Sequence, residues 1–118
     1  HLTRESLVRY AGASGDFNPI HYRDDVAAAV GLPGVLAHGM LTMGIASSVV
    51  VAALDPQARI VDYGVRFTKP VVVDPENGAD VHVVAKVGAV DDASTRIDLK
   101  VTTGDTTVLV KAQLRIAA

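Results

Sequence analysis

The stretch Gly34–Leu54, GVLAHGMLTMGIASSVVVAAL, decides the fold. Its apolar residues fall on nearly every side of a helix: Leu36, Met40, Leu41, Met43, Ile45, Val49, Val50, Val51 and Leu54. A helix that is apolar all round must be surrounded by protein. Gly39 and Gly44 would let another backbone come close, and Asp55-Pro56 ends the segment. His38, Thr42, Ser47 and Ser48 make it a poor membrane span, so the expectation is a long buried helix and no membrane association.

Downstream of this helix the sequence turns to strands. Ile60–Val73 is β-rich, with Val61, Tyr63, Val65 and Phe67 on one face and Asp62, Arg66 and Thr68 on the other. Pro75-Glu76-Asn77-Gly78 and Asp91-Asp92-Ala93-Ser94 read as turns, and Val81–Val90 and Arg96–Thr102 as strands between them. Thr103-Gly104-Asp105-Thr106 reads as a hairpin turn leading into Thr107–Ile116. Helices first and four antiparallel strands afterwards predict an α+β fold, a meander wrapped round the central helix. With 118 residues the chain is expected to be one domain, 1–118.

Upstream, Thr3 can cap a helix, and Ser6 stands where a capping-box partner belongs. Leu7, Val8, Tyr10 and Ala11 give that helix an apolar face, and Gly12, Ser14 and Gly15 end it. Asp24–Val30 reads as a short Asp-capped helix stopped by Gly31 and Pro33. Between them lies GDFNPIH, Gly15–His21. It is a structured loop, because the residue before Pro19 avoids the helical region.

Composition narrows the function. Lys plus Arg is 11 against 13 Asp plus Glu, with three Tyr, two Phe and no Trp, so neither a basic face nor a row of stacking aromatics supports nucleic-acid binding. There is no Cys, which excludes disulfides, thiolate metal sites and Cys nucleophiles and suits a reducing cytoplasm. Apolar residues reach 49% and charged ones only 20%, a surplus that hints at oligomerisation. The first residue is His1, not Met, so the chain is expected to start inside a longer or processed one.

The chemistry sits on the loop. Asp16 and His21 are five residues apart, with Asn18 between them. A carboxylate and an imidazole can share one water, one group removing a proton while the other handles a second. Hydration of a conjugated double bond needs that division, and so does the reverse dehydration. A thioester substrate also needs its carbonyl oxygen stabilised as charge develops. Backbone N–H groups at the start of the apolar helix, at Gly39, suit that task. Alternatives stand beside these readings. Asp16 could be a loop brace, and His21 a satisfied half-buried histidine. His38 is assigned to packing or hydrogen bonding at the helix start. The Ser47 hydroxyl could return to its own i−4 carbonyl or stand near the water. Met40 and Met43 are core filler first, and His1 and His82 are expected to be exposed. Asp16, His21 and His38 match no usual ligand spacing, so no metal is expected. No phosphate loop is visible, so no nucleotide cofactor is expected.

Taken together, YAGASGDFNPIH (Tyr10–His21) and AHGM (Ala37–Met40) resemble the MaoC-like dehydratase family, the R-specific enoyl hydratases. AHGMLTMGI (Ala37–Ile45) and YGVRFT (Tyr63–Thr68) are similar above all to the catalytic B subunit of the mycobacterial-type (3R)-hydroxyacyl-ACP dehydratases. The resemblance runs over most of the chain and implies a hot-dog fold and a dimer, homodimeric or paired with a related hot-dog subunit. It implies catalysis by Asp16 and His21, a thioester carbonyl bound at the Gly39 amide, Asn18 bracing the loop and Ser47 near the water. The implied enzyme is a hydro-lyase interconverting (3R)-hydroxyacyl and trans-2-enoyl thioesters, on acyl-ACP in fatty-acid elongation. The alternatives are a stand-alone enoyl-CoA hydratase of β-oxidation or polyester supply, a non-catalytic partner subunit, and a hot-dog thioesterase. Two departures stand out. The family's strand before the first helix has almost no sequence here, and its Gly-Asp pair after the Pro-Val strand is replaced by Asp74-Pro75-Glu76.

Overall fold

The computed structural model describes residues His1–Ala118. Helix α1, Arg4–Ser14, opens on the Thr3–Ser6 capping box and closes at Gly15, whose positive φ of 77° is a conformation glycine adopts without steric cost. A 3-10 turn, Pro19–His21, follows, then helix α2, Asp24–Ala29. Asp24 is the first residue of α2 rather than its cap. Its carboxylate takes both Arg4 guanidinium nitrogens at 2.8 and 3.1 Å. Arg4 Nε also donates to the Val73 carbonyl, so one side chain ties α1, α2 and the segment before the second strand together.

Helix α3 spans Gly39–Ala53, five residues shorter at its start than the sequence predicts. Val35–Ala37 is extended instead, and Val71–Val73 lies antiparallel to it. Ala37 N donates to Val71 O, and Val73 N to Val35 O. That pairing is long-range, and it takes backbone groups a helix would otherwise use. The helix is not enclosed on every side by its own chain. Thr42, Ala46 and Val50 form one buried stripe at i, i+4 and i+8, but Met40, Val49 and Val51 are each about half exposed. One chain covers one side of α3.

The sheet has four antiparallel strands: β1 Ile60–Phe67, β2 His82–Val90, β3 Ser94–Thr103 and β4 Thr106–Ala117. Their order is β1-β4-β3-β2, so β2 to β4 form the expected meander while β1 joins at the far edge, beside β4. β1 ends at Phe67, and Pro70–Val73 pairs only with the segment before α3. Register shifts near Val61 and Val65 break the predicted single face, leaving Val61 and Phe67 exposed. The turns fall where turn chemistry put them. Asp91 Oδ1 accepts from the Ala93 and Ser94 amides, Asp74 Oδ2 from those of Glu76 and Asn77, and Gly104 takes a positive φ in the hairpin. Leu2 pairs with Ala79 in both directions, so the residue just before α1 makes a strand-like bridge.

The core lies between α3 and the concave sheet face: Ile97, Leu99 and Val101 from β3, and Val108, Leu109, Ala112 and Leu114 from β4. A sheet curled about one helix is the hot-dog architecture, an α+β fold as expected. No helix is long and apolar enough to cross a membrane. Leu114 is fully buried, so Leu114→Ala is expected to cost about 2–5 kcal/mol. Urea unfolding measures this, and a loss under about 1 kcal/mol would contradict the placement of the core.

Candidate active site

Local hydrogen bonds shape the loop after α1 one residue at a time. Ser14 Oγ donates to the Tyr10 carbonyl and accepts from the Asp16 amide. Asp16 Oδ1 accepts from the Asn18 amide at 3.1 Å, and Asn18 Oδ1 from the Ile20 amide at 3.3 Å. Asn18 thereby caps the 3-10 turn, with Pro19 at its first position. These bonds hold one carboxylate oxygen of Asp16 as a brace and leave the other, Oδ2, facing His21.

His21 is buried and strictly oriented. Its Nδ1 lies 2.7 Å from the Leu36 carbonyl, which only accepts, so Nδ1 carries the proton. Nε2 is then the free lone pair. It stands 4.0 Å from Asp16 Oδ2, too far for a direct hydrogen bond and close enough for one water to touch both. The Asp16 side chain is half exposed, so solvent reaches it.

His38 lies beneath this pair, almost wholly buried. Its ring stacks on His21 with centroids 3.8 Å apart, and Tyr10 meets it edge-on at 4.7 Å. Nε2 donates to the Asp16 carbonyl at 3.1 Å, and Nδ1 is buried without a partner. Burial, more than any neighbour, pushes its pKa below the ordinary histidine value. Asp16, His21 and His38 bring possible ligand atoms within 4.8 Å of one another. One nitrogen of each ring is already bonded to a backbone carbonyl, so that donor set is partly committed to the chain.

Gly39 is the first residue of α3, and the helix has no side-chain cap. The amides of Gly39, Met40 and Leu41 have no acceptor within the chain and form the positive end of the helix dipole. A Cβ on Gly39 would sit 3.1 Å from the Phe67 ring, so the missing side chain makes room for that ring. Gly39 and His21 line one cleft of about 290 Å³, with Thr42, Phe67, Lys69 and Leu109 among its walls. The arrangement presents an imidazole lone pair and a carboxylate oxygen one water apart, on the loop beside a cleft that also holds the unpaired amide of Gly39.

The structure thus brings Asp16, Asn18 and His21 together and sets Gly39 in the cleft His21 lines. Ser47 is two turns along α3, outside the cleft lining, and its hydroxyl donates to the Gly44 carbonyl at 2.9 Å. Sequence reasoning missed Phe67, read only as part of one strand face, and Lys69, which had no pattern. The Leu36 carbonyl carries no side-chain signal at all.

The MaoC like domain matches residues 1–109, and the chain belongs to that family. It is similar to 3-hydroxyacyl-thioester dehydratase X of Mycobacterium tuberculosis, with 38% identity over 65% of this chain and 26% of that protein. It is also similar to an (R)-specific enoyl-CoA hydratase of Rhodospirillum rubrum, with 32% identity over 73% of this chain and 60% of the relative. A solved MaoC-like dehydratase superposes with a TM-score of 0.90 at 33% identity, over 98% of this chain and 36% of that one. The chain therefore spans less than two thirds of the length of each of these relatives.

Asn18→Ala removes the cap on the 3-10 turn and is expected to lower stability by about 1 kcal/mol. Thermal unfolding checks this, and an unchanged midpoint would mean that the cap does not hold the loop.

Proposed function

We propose that the chain hydrates trans-2-enoyl thioesters and dehydrates (3R)-hydroxyacyl thioesters. What carries the reading is the His21 Nε2–Asp16 Oδ2 pair, 4.0 Å apart, on the loop beside the cleft with the Gly39 amide. In the hydration direction, a water between the two groups adds its oxygen to C3. The pair takes one proton from that water and returns one to C2, so both groups end as they began. As the C3–O bond forms, charge moves onto the thioester oxygen, and the Gly39 amide at the helix end is placed to stabilise it. Asn18 acts by holding Asp16. Ser47 belongs to this reading only as a residue of α3, since its hydroxyl already bonds the Gly44 carbonyl.

The family and the names of the two curated relatives support this reaction class. The hydratase likeness also supports coenzyme A as a carrier alongside acyl carrier protein, and both present the substrate on a phosphorylated pantetheine arm. Exposed Lys69 forms no ion pair and lines the cleft, which suits it to that phosphate. A second hot-dog unit, identical or related, is proposed to cover the bare side of α3. Met40, Gly44, Ser48 and Val51 lie there at helical spacing, all exposed, and Gly44 has nothing within 4 Å of a built Cβ. Ser47 and Ser48 both donate to the Gly44 carbonyl, so their hydroxyls are already satisfied within the helix. The mass of the native assembly distinguishes monomer from dimer.

Asp16→Asn and His21→Gln are each expected to lower kcat by about 10²-fold or more while circular dichroism shows a retained fold. Wild-type turnover in both would refute the assignment. Lys69→Glu is expected to raise KM for enoyl-CoA roughly 3- to 10-fold at low salt, with a smaller effect at high salt. An unchanged KM would remove Lys69 from carrier binding.

A further inference from the structure

His38 touches every part of the arrangement without facing the cleft. It stacks on His21, donates to the backbone of Asp16 and is covalently joined to Gly39. We propose that His38 is a positioning residue, held as the neutral Nε2–H tautomer, that tethers the Asp16 backbone and backs the His21 ring, so that of the two imidazoles only His21 takes up and releases a proton during turnover. The proposal deepens the hydratase reading and rests on it for the meaning of turnover.

The two imidazoles have opposite surroundings. At His21, Nδ1–H has the Leu36 carbonyl and Nε2 has the Asp16 carboxylate 4.0 Å away, so an imidazolium there has one carbonyl acceptor and an opposite charge that one water can bridge. At His38, Nε2–H has the Asp16 carbonyl, but Nδ1 is buried with no partner. A proton added there would create a buried N–H with nothing to accept it. Burial, the largest influence, and the His21 ring stacked 3.8 Å away disfavour the charged form, and the bond to the Asp16 carbonyl and the Asp16 charge oppose them without outweighing them. The other titratable groups facing His38 are Asp16 on the loop and Tyr10 on α1. Phe67, across Gly39 from β1, is uncharged. Two imidazoles stacked at 3.8 Å cannot both be charged without repulsion, so a charge on His38 would oppose protonation of His21.

The tether also matters geometrically. The bond from His38 Nε2 fixes the peptide that leads out of Asp16, while the Asn18 amide fixes the carboxylate. Loss of the first would let the carboxylate drift relative to Nε2 of His21. A displacement of about 1 Å at such a site can reduce rate 10²-fold.

Two measurements test this. In protein labelled with 15N-histidine, long-range 1H–15N spectra across pH are expected to show His38 in the Nε2–H form, gaining a second proton only below the ordinary histidine range. A His38 that carries its proton on Nδ1, or titrates at or above the ordinary histidine value, overturns the proposal, and this readout needs no catalytic assay. In kinetics, His38→Phe keeps a ring but loses the tether. It is expected to lower kcat roughly 10- to 100-fold with KM within about threefold. His38→Gln, whose amide can donate to the Asp16 carbonyl, is expected to recover part of kcat. Wild-type kcat and pH profile in His38→Phe contradict the proposal. If either variant fails to fold, the spectra of the wild-type chain decide. An inactive wild-type chain with the expected spectra would sink the hydratase reading and leave the tautomer assignment standing.

Discussion

The hydrogen bond from His21 Nδ1 to the Leu36 carbonyl joins the two halves of the site, and the rest of the geometry hangs on the segment it grips. Val35–Ala37 is held on both sides. On one, the 3-10 turn zips to it through Leu36 N to Ile20 O and through the His21 ring. On the other, Val71–Val73 pairs with it through Ala37 N and Val35 O. Two residues later the chain enters α3. A single extended stretch therefore sets both where the imidazole lone pair points and where the free helix amides begin. The mutual placement of the His21 imidazole and the Gly39 amide is fixed by backbone bonds, which tolerate little drift.

Around that grip, nearly every polar group is satisfied by a neighbour in sequence, and the exceptions are informative. Ser14, Asp16 and Asn18 each close a bond two to four residues away, so the loop is shaped before it meets the rest of the fold. Among the groups left without a partner in the chain are His21 Nε2, Asp16 Oδ2, the first amides of α3 and buried Nδ1 of His38. His21 and Gly39 line the cleft, and Asp16 Oδ2 stands beside it, 4.0 Å from His21 Nε2. Nδ1 of His38 faces protein and keeps one imidazole uncharged. Unmet hydrogen-bonding capacity is thus concentrated in one place, as expected where chemistry rather than stability decides the residues.

Much of this was legible in the sequence because it is local. The Thr3–Ser6 box, the Gly15 stop, the turns at Asp74 and Asp91 and the Gly104 hairpin all depend on residues within a few positions of each other. The Asp16–His21 pairing was legible for the same reason. What depends on distant partners was not. Gly34–Ala37 has the apolar character of a helix start, and only pairing with Val71–Val73 makes it extended. The place of β1 at the edge beside β4 is a long-range pairing, which no local pattern records. The apolar circumference of α3 was read as enclosure by one sheet, whereas Met40, Val49 and Val51 remain exposed on the single chain. His38 looked structural from the sequence. Its stacking on His21 is a tertiary fact, and it ties that structural role to the chemistry.

The central claim is that one solvent molecule, one carboxylate and one imidazole converge opposite the free amide of Gly39. A crystal structure of the native assembly bound to an unreactive enoyl-thioester analogue tests it directly. The account predicts the thioester oxygen about 2.7–3.1 Å from Gly39 N, and C3 next to a water bonded to both Asp16 and His21. An analogue seated elsewhere, or one whose C3 turns away from that water, would contradict it.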